Sequence, residues 1–427
     1  MPEDVLHLSA LARSPLLDSS GDRLGRVDDV IVRLDTGDAL PPVTGLKARI
    51  GGREMFVPAD RLARLEPHAA RTSTTELNLA QFERRPGEVL LRRDVLGRSL
   101  INVTTARLVT AREVELVFTD GSWRVAGIDP SLGAGMRRFL PWRTRRHEGD
   151  RSQPHEGEHS QFIPWTETEA FVGHVPTSRL RLASRRLARL HPAQIADLVE
   201  AASHDEGEEI LQAVGQDKEL EADVFEELDD EHQVEFLRQR SDEEVAGVLA
   251  RMASDDAADL LLEIDQDRRI PILNLLPAAK QLKIRLLLGY NPSTAGGLMN
   301  PDFPSLAADA TVGEALARVR ASELAPSQLL TLWVIDAGGH LLGGVLSSEL
   351  VRASEDAPVS SLIETAVPTV APETELAEVA RLMADFNLVA IPVVDGDEYP
   401  IGVVAVDDVV ERLLPDQWRR RAGLARG

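Results

Sequence analysis

The stretch Leu286-Leu287-Leu288-Gly289-Tyr290-Asn291-Pro292-Ser293-Thr294-Ala295-Gly296-Gly297-Leu298-Met299 joins two regions of different hydrophobic period. Its leucine run stops at Gly289, and Asn291-Pro292 breaks a helix. Gly296-Gly297 follows Thr294-Ala295 and reads as a hinge, with no phosphate-loop spacing around it.

Upstream, from His191 to Leu288, small apolar clusters recur. Leu198, Leu211, Phe225, Leu237, Leu249, Leu261 and Leu273 mark steps of 13, 14, 12, 12, 12 and 12 residues. Each step allows a helix of about two turns, too short to persist alone in water. Such helices bury their apolar faces only by stacking, as in a solenoid. Cap-like starts recur at Ser203-His204-Asp205-Glu206, Ser241-Asp242-Glu243-Glu244 and Ser254-Asp255-Asp256, and Ser241 with Glu244 fits a capping box. Carboxylates in the first turn also favour the helix dipole, so much of the local acidity has a structural explanation.

Downstream, a pattern repeats. Ala308-Asp309-Ala310-Thr311-Val312-Gly313-Glu314-Ala315-Leu316 parallels Pro372-Glu373-Thr374-Glu375-Leu376-Ala377-Glu378-Val379. Leu332-Trp333-Val334-Ile335-Asp336 parallels Ala390-Ile391-Pro392-Val393-Val394-Asp395, and Gly344-Val345-Leu346 parallels Gly402-Val403-Val404. Each copy reads helix, strand, turn, strand, helix. The pair resembles CBS motifs, the tandem module that senses ligands.

With Asp255-Asp256-Ala257-Ala258-Asp259-Leu260-Leu261 upstream, the joining stretch closely resembles the cytosolic part of the MgtE magnesium transporter family, over about residues 185–415. In that family a superhelical N domain and a CBS pair hang below a membrane pore, and magnesium ions between acidic surfaces hold it closed. The resemblance implies Mg2+ as ligand, with Asp255, Asp259, Asp408, Glu411, Asp385 and Glu378 as candidate metal ligands. Asp255 and Asp259 lie four apart, on one helix face. Asn387 stands where the family often has an acidic residue, and the basic Trp418 to Arg421 stretch offers no counterpart to the acidic plug-helix ligands. Magnesium prefers octahedral oxygen ligands and keeps several waters, so a few carboxylates on two facing helix starts suit it.

The N-terminal part reads as short strands with Gly/Asp turns, the pattern of a small antiparallel barrel. Leu96-Gly97-Arg98-Ser99-Leu100-Ile101-Asn102-Val103 echoes Leu24-Gly25-Arg26-Val27-Asp28-Asp29-Val30, and Phe162-Ile163-Pro164-Trp165 echoes Phe56-Val57-Pro58-Ala59. Both copies resemble the PRC-barrel family, which implies a docking module. The expected fold is multidomain α+β: a PRC-barrel-like domain over 1–70, a second over 88–175 with a polar insertion at about 143–161, a helical N domain over 185–298, CBS motifs over 299–355 and 356–415, and a basic tail over 416–427.

Composition sets the limits. The 427 residues include no Cys, which removes disulfides and thiolate chemistry. No run of 18 apolar residues occurs, because Lys280, Lys283 and Arg285 interrupt Ile270 to Tyr290, so no transmembrane segment is expected. The acidic start Met1-Pro2-Glu3-Asp4 lacks a signal-peptide layout, which makes a cytoplasmic location the default, with membrane association through a partner. The net charge is −23: residues 1–190 hold 29 Lys+Arg against 25 Asp+Glu, and residues 191–427 hold 18 against 45. That field repels nucleic acid and draws in cations. No HExxH, G-x-S-x-G or nucleophile-plus-base arrangement is visible, so the chain reads as non-enzymatic. The family resemblance implies a homodimer through the CBS pair and a separately encoded membrane transporter as partner. Two rival readings are a CBS regulator sensing an adenine nucleotide and a scaffold working through the PRC-like barrels. For the nucleotide reading, Ser347 precedes Glu349 by only two residues and Ala405 replaces the hydroxyl before Asp408.

Overall fold

The computed structural model describes residues 5–34, 38–74, 80–85, 87–131, 162–170, 187–322, 324, 326, 328–363 and 367–414. The chain divides into two compact units, residues 1–220 and 221–427. The expected polar insertion at 143–161 and the basic tail at 416–427 lie outside the described residues.

In the first unit, β1 (Val5–His7), α1 (Leu8–Leu11), β2 (Pro15–Leu17), β3 (Arg23–Arg33), β4 (Val43–Ile50), β5 (Arg53–Pro58), β6 (Leu62–Glu66) and β7 (Ala69–Thr72) come from the first repeat. The second repeat supplies β8 (Glu88–Leu90), a π-helical turn (Leu91–Val95), β9 (Ser99–Asn102), β10 (Arg107–Thr110), β11 (Glu113–Thr119), β12 (Ser122–Asp129), β13 (Ile163–Pro164) and β14 (Thr168–Ala170). Three sheets form. One runs β5-β4-β3-β2-β7-β6 with β8 added on β3, one runs β1-β11-β12-β13, and one runs β10-β9-β14.

This corrects the expectation of small antiparallel barrels in two respects. The largest sheet stays open from β5 to β6, and β2 runs parallel to β7. The repeats also trade strands. Val5 of β1 pairs with Val117 of β11, while Leu90 of β8 pairs with Ile31 of β3. The eleven residues of β3 permit this, because β2 covers its first half and β8 its last three residues. One apolar core, from Leu6, Leu8 and Leu11 through Val30 and Leu46 to Val114, Leu116 and Ile128, lies beneath both repeats, and a smaller cluster of Ile31, Phe56 and Leu90 lies apart from it.

A buried carboxylate fixes each traded strand. Asp29 Oδ1 accepts from the amides of Val30 (2.8 Å) and Arg92 (2.7 Å), and Oδ2 from that of Arg93 (3.1 Å). Glu113 Oε1 accepts from the amides of Val114 (3.0 Å) and Ser9 (3.0 Å), and the Ser9 hydroxyl donates to Oε2. Each acid thus satisfies orphan amides in the helical turn that follows the other repeat's strand. Burial pushes the Asp29 carboxyl up to about 6, although the three amides oppose the shift.

The helical region is built from α2 (Pro192–Ala201) and α3 (His204–Val214) in the first unit, α4 (Lys218–Glu227), which contains the unit boundary, and then α5 (Asp230–Arg238), α6 (Asp242–Leu249), α7 (Ser254–Glu263), α8 (Gln266–Leu275) and α9 (Ala278–Leu287). Within the second unit, α5 packs on α7, α6 on α8 and α7 on α9. This next-but-one stacking explains an apolar step near 12, since each helix needs only one buried face. Capping boxes form at Ser203/Glu206 and Ser241/Glu244, each worth about 1 kcal/mol. Ser254 is not a cap: it is the first helical residue, and Ala253 is the N-cap.

Downstream lie α10 (Ala295–Leu298), β15 (Ser305–Ala307), α11 (Val312–Arg320), β16 (Thr331–Ile335), β17 (Leu341–Leu346), α12 (Ser347–Arg352), α13 (Leu376–Phe386), β18 (Ala390–Val394), β19 (Pro400–Ala405) and α14 (Val406–Leu413). Both copies show the helix–strand–strand–helix order. β15 runs parallel to β16, and Val370 makes the corresponding parallel bridge to Val393. The joining stretch is stitched to the second copy: the Ala295 and Gly296 amides donate to Thr374 O and Pro372 O, and Asn300 exchanges two backbone hydrogen bonds with Val403. The hinge reading of Gly296-Gly297 is corrected. A Cβ on Gly297 would lie 2.3 Å from Asn291 O, and one on Gly296 2.7 Å from the Tyr290 ring, so close packing fixes this turn. No helix among the described residues is long and apolar enough to cross a membrane.

Candidate metal centre

Two helix starts in the second unit carry paired carboxylates. Asp255 and Asp256 occupy the first turn of α7, and Asp407 and Asp408 the first turn of α14. The helix dipole favours anions at both places. The start of α7 is held from below and behind. The Ala253 amide donates to Glu226 Oε1 of α4 at 2.6 Å. The buried Ser254 hydroxyl donates to Asp302 Oδ2 at 2.8 Å, and Lys283 pairs with the other Asp302 oxygen. The Lys280 ammonium donates to Met252 O just before the helix.

The carboxyls repel one another. Asp408 is pushed up to about 7 by burial, then by Asp407, Asp256 and Glu411, against the Ala405 amide. Glu226 is pushed up to about 7 by burial, then by Asp223 and Glu227, against the Ala253 amide and Lys280. Burial raises Asp255 strongly, and Asp408 and Glu226 add to it. Asp256 is raised by desolvation and by Asp255, Glu226, Asp259 and Glu411. Its side chain is nevertheless exposed to water, so the like charges are the contribution that carries weight there. Lys280 is lowered by burial, and Asp302, Asp255 and Glu226 oppose that shift.

The candidates from the sequence divide. Asp255, Asp259, Asp408 and Glu411 come together. Asp259 is raised by burial, while Arg412 of α14, whose guanidinium bonds it, pulls the other way. Glu378 and Asp385 lie elsewhere, on the exposed face of α13. Arg381 sits between them in sequence and binds both, at 2.7 Å and 2.6 Å. That spacing of three and four residues closes two ion pairs on one helix face. Asn387 is the left-handed C-cap of α13, a conformation asparagine tolerates, which accounts for its place there. Sequence reasoning missed Glu226, Asp256 and Lys280 as members of the cluster. Asp256 had a signal, since it adjoins Asp255 in a helix start. Glu226 had none, because it reaches α7 only through helix stacking.

The donor set suits a small hard dication. Asp255 Oδ1 is buried without a hydrogen-bond partner, an arrangement that costs about 1–3 kcal/mol unless something satisfies it. Among the described residues, no three of these carboxylates bring oxygens within 4.8 Å of one another. The cluster therefore fits an ion that keeps much of its water shell and touches few carboxylates directly, as magnesium does.

A family model described as the MgtE intracellular N domain matches residues 190–293, and one described as the CBS domain matches residues 359–415. The magnesium transporter MgtE of Thermus thermophilus is 32% identical over 140 residues, 33% of this chain and 31% of the relative. The MgtE of Enterococcus faecalis is 30% identical over 143 residues, 34% of this chain and 32% of the relative. The match thus spans about a third of the length of these relatives. A crystal structure of the cytosolic domain of the Mg2+ channel MgtE in complex with ATP covers 55% of this chain and 94% of that one, at 28% identity and a TM-score of 0.50. The helical region is thus similar to the MgtE intracellular N domain and the second CBS copy to the CBS domain, and together they resemble the cytosolic part of MgtE magnesium transporters.

Proposed function

We propose that the chain is a non-enzymatic magnesium-responsive regulator. Asp255, Asp256, Asp408 and Glu226 would hold the ion, with Asp259 and Glu411 beside them. Bound Mg2+ would supply the positive charge that lets the acidic starts of α7 and α14 stay together. Without it, ionised carboxylates on the two helices push apart, and the helical region loosens from the CBS region. A ligand shifts such an equilibrium only by binding one arrangement better, and carboxylates brought together from separate helices provide that difference. The observation that carries the reading is Asp255 Oδ1, buried and left unpartnered; beyond burial, Asp408 and Glu226 push the Asp255 carboxyl up, and Asp407, Asp256 and Glu411 push up that of Asp408.

The test compares MgCl2 with NaCl of equal ionic strength. Thermal unfolding should move up, and proteolysis near residues 286–300 should slow, in MgCl2 alone. An identical response to both salts would remove the magnesium reading. Within this proposal the protein acts in the cytoplasm as a homodimer paired through its CBS motifs. It passes its state to a separately encoded membrane transporter, and the PRC-barrel-like part serves as the docking module. Its acidity argues against nucleic acid as a partner.

The ATP complex of the related Mg2+ channel domain supports a second reading, an adenine-nucleotide sensor. The Ser347 hydroxyl, the group best placed in sequence for a phosphate, already donates to Leu329 O. Calorimetry with ATP, AMP and Mg2+ tested separately distinguishes the two, and AMP binding without any Mg2+ response would favour the nucleotide.

A further inference from the structure

A cavity of about 440 Å³ opens in the first unit, where the repeats trade strands. Arg13, Arg26, Lys47, Arg49, Arg92 and Arg93 line it, against Asp28, Asp29 and Glu54. These six cations face three carboxylates in a chain whose net charge is −23. The carboxylates are already committed. Asp28 accepts from Arg26 Nε and Arg49 Nε, each at 3.0 Å. Glu54 accepts from Lys47 Nζ at 2.8 Å and Arg49 Nη2 at 3.3 Å. The Asp29 oxygens are taken by backbone amides. Among the described residues the Arg92 guanidinium reaches only the Asp28 carbonyl, at 3.3 Å. Neither Arg13 nor Arg93 has a side-chain hydrogen bond or ion pair among the described residues. Arg13 is also held at φ +68°, a left-handed backbone uncommon for a residue with a side chain, and its amide is pinned to Val27 O at 2.8 Å.

We propose that this cavity binds a phosphate-bearing ligand of two or more negative charges, with Arg13, Arg92 and Arg93 as the principal contacts. Guanidinium forks match phosphate oxygens in paired hydrogen bonds, which makes arginine the side chain best suited to such anions. The volume lies within the range of small-ligand sites, and the concave shape suits a compact anion better than a nucleic-acid strand. The site is separate from the acidic cluster and independent of the magnesium reading. Its phosphate could come from a free phosphorylated metabolite or from a lipid headgroup.

The test uses the full chain without divalent ions. Calorimetry with inorganic pyrophosphate, and co-sedimentation with phosphatidylglycerol–phosphatidylcholine vesicles, are run on the wild type, on the double variant Arg13→Gln/Arg93→Gln and on the control Arg381→Gln. We expect pyrophosphate binding that weakens with salt and falls about tenfold or more in the double variant, with no change in the control. The exposed, unpartnered positions of Arg13 and Arg93 leave the fold intact, which thermal unfolding verifies. Arg92→Gln gives an independent second variant. Vesicle binding lost in the variants, without pyrophosphate binding, assigns the phosphate to a headgroup. Absence of both, or binding that the variants leave unaltered, overturns the proposal.

Discussion

The Arg412 guanidinium of α14 is bonded to the Asp259 carboxylate of α7, so a side-chain cation already spans the two helices beside the acidic cluster. Both side chains are about two-fifths exposed, and such a pair is worth at most about 1 kcal/mol. We expect Arg412→Gln to lower Tm in EDTA by a few degrees at most and to enlarge the Tm rise produced by MgCl2. An unchanged MgCl2 increment would show that Asp259 lies outside the ion's reach.

Asp255→Asn removes a buried carboxylate that has one unpartnered oxygen and two acidic neighbours. Replacing a carboxyl that must take up a proton or be desolvated on folding with a neutral amide should stabilise the divalent-free protein at about pH 7–8 by about 1 kcal/mol or more. The same change should abolish most of the MgCl2 response, and Asp408→Asn should do likewise. Differential scanning calorimetry with and without MgCl2 reads both effects, and a variant that is less stable in EDTA yet still responds to magnesium would contradict the assignment.

The pH dependence has a defined sign. Asp408 and Glu226 titrate near 7 in the folded chain, against roughly 4 for free carboxyls. Between those values the folded state keeps protons that the unfolded chain has released, so their contribution is complete below about pH 4 and disappears as pH rises through about 7. In EDTA, Tm should therefore fall from pH 5 to pH 8. The gain from MgCl2 should be small at pH 5, where protons neutralise the cluster, and large at pH 8. A gain independent of pH would exclude these carboxyls as the site.

Asp29→Ala would strip the partly buried Arg92 and Arg93 amides of their acceptor at the wall of the cavity. Unsatisfied buried donors cost about 1–3 kcal/mol each, so a loss of roughly 2–4 kcal/mol is expected. Glu113→Ala should cost a similar amount through Ser9. Chemical denaturation monitored at the tryptophans of the first unit, including Trp123 and Trp165, measures both, and a neutral result for either would mean that water takes the carboxylate's place.

Periodicity made the helical region legible, because a helix of ten residues is encoded locally and its neighbours repeat the same signal. The CBS copies were legible for a related reason: Gly402 and the Val-Val-Asp hairpin sit next to each other in sequence. Strand pairing in the first unit was not. Val5-Leu6 and Val89-Leu90 are both short apolar segments, and nothing in either says whether it pairs with its own repeat or the other one. The acidic centre was legible at Asp255 and Asp408, which open helices, and at Asp259 one turn on. Glu226 and Lys280 join it only through stacking. Glu378 and Asp385 lie apart from it for a reason visible in the sequence itself, since Arg381 stands three and four residues from them and pairs with both.

The pairing of Val5 with Val117 has a bearing on synthesis. Residues Val5–His7 have no partner in β11 until more than a hundred others have been synthesised, whereas Leu90 meets Ile31 on a sheet whose strands have all emerged. β1 is thus placed only after β11, later than the strands that follow it in the first repeat. Disrupting Val5–His7 would therefore act first on the later repeat, through β11, although these residues belong to the earlier one.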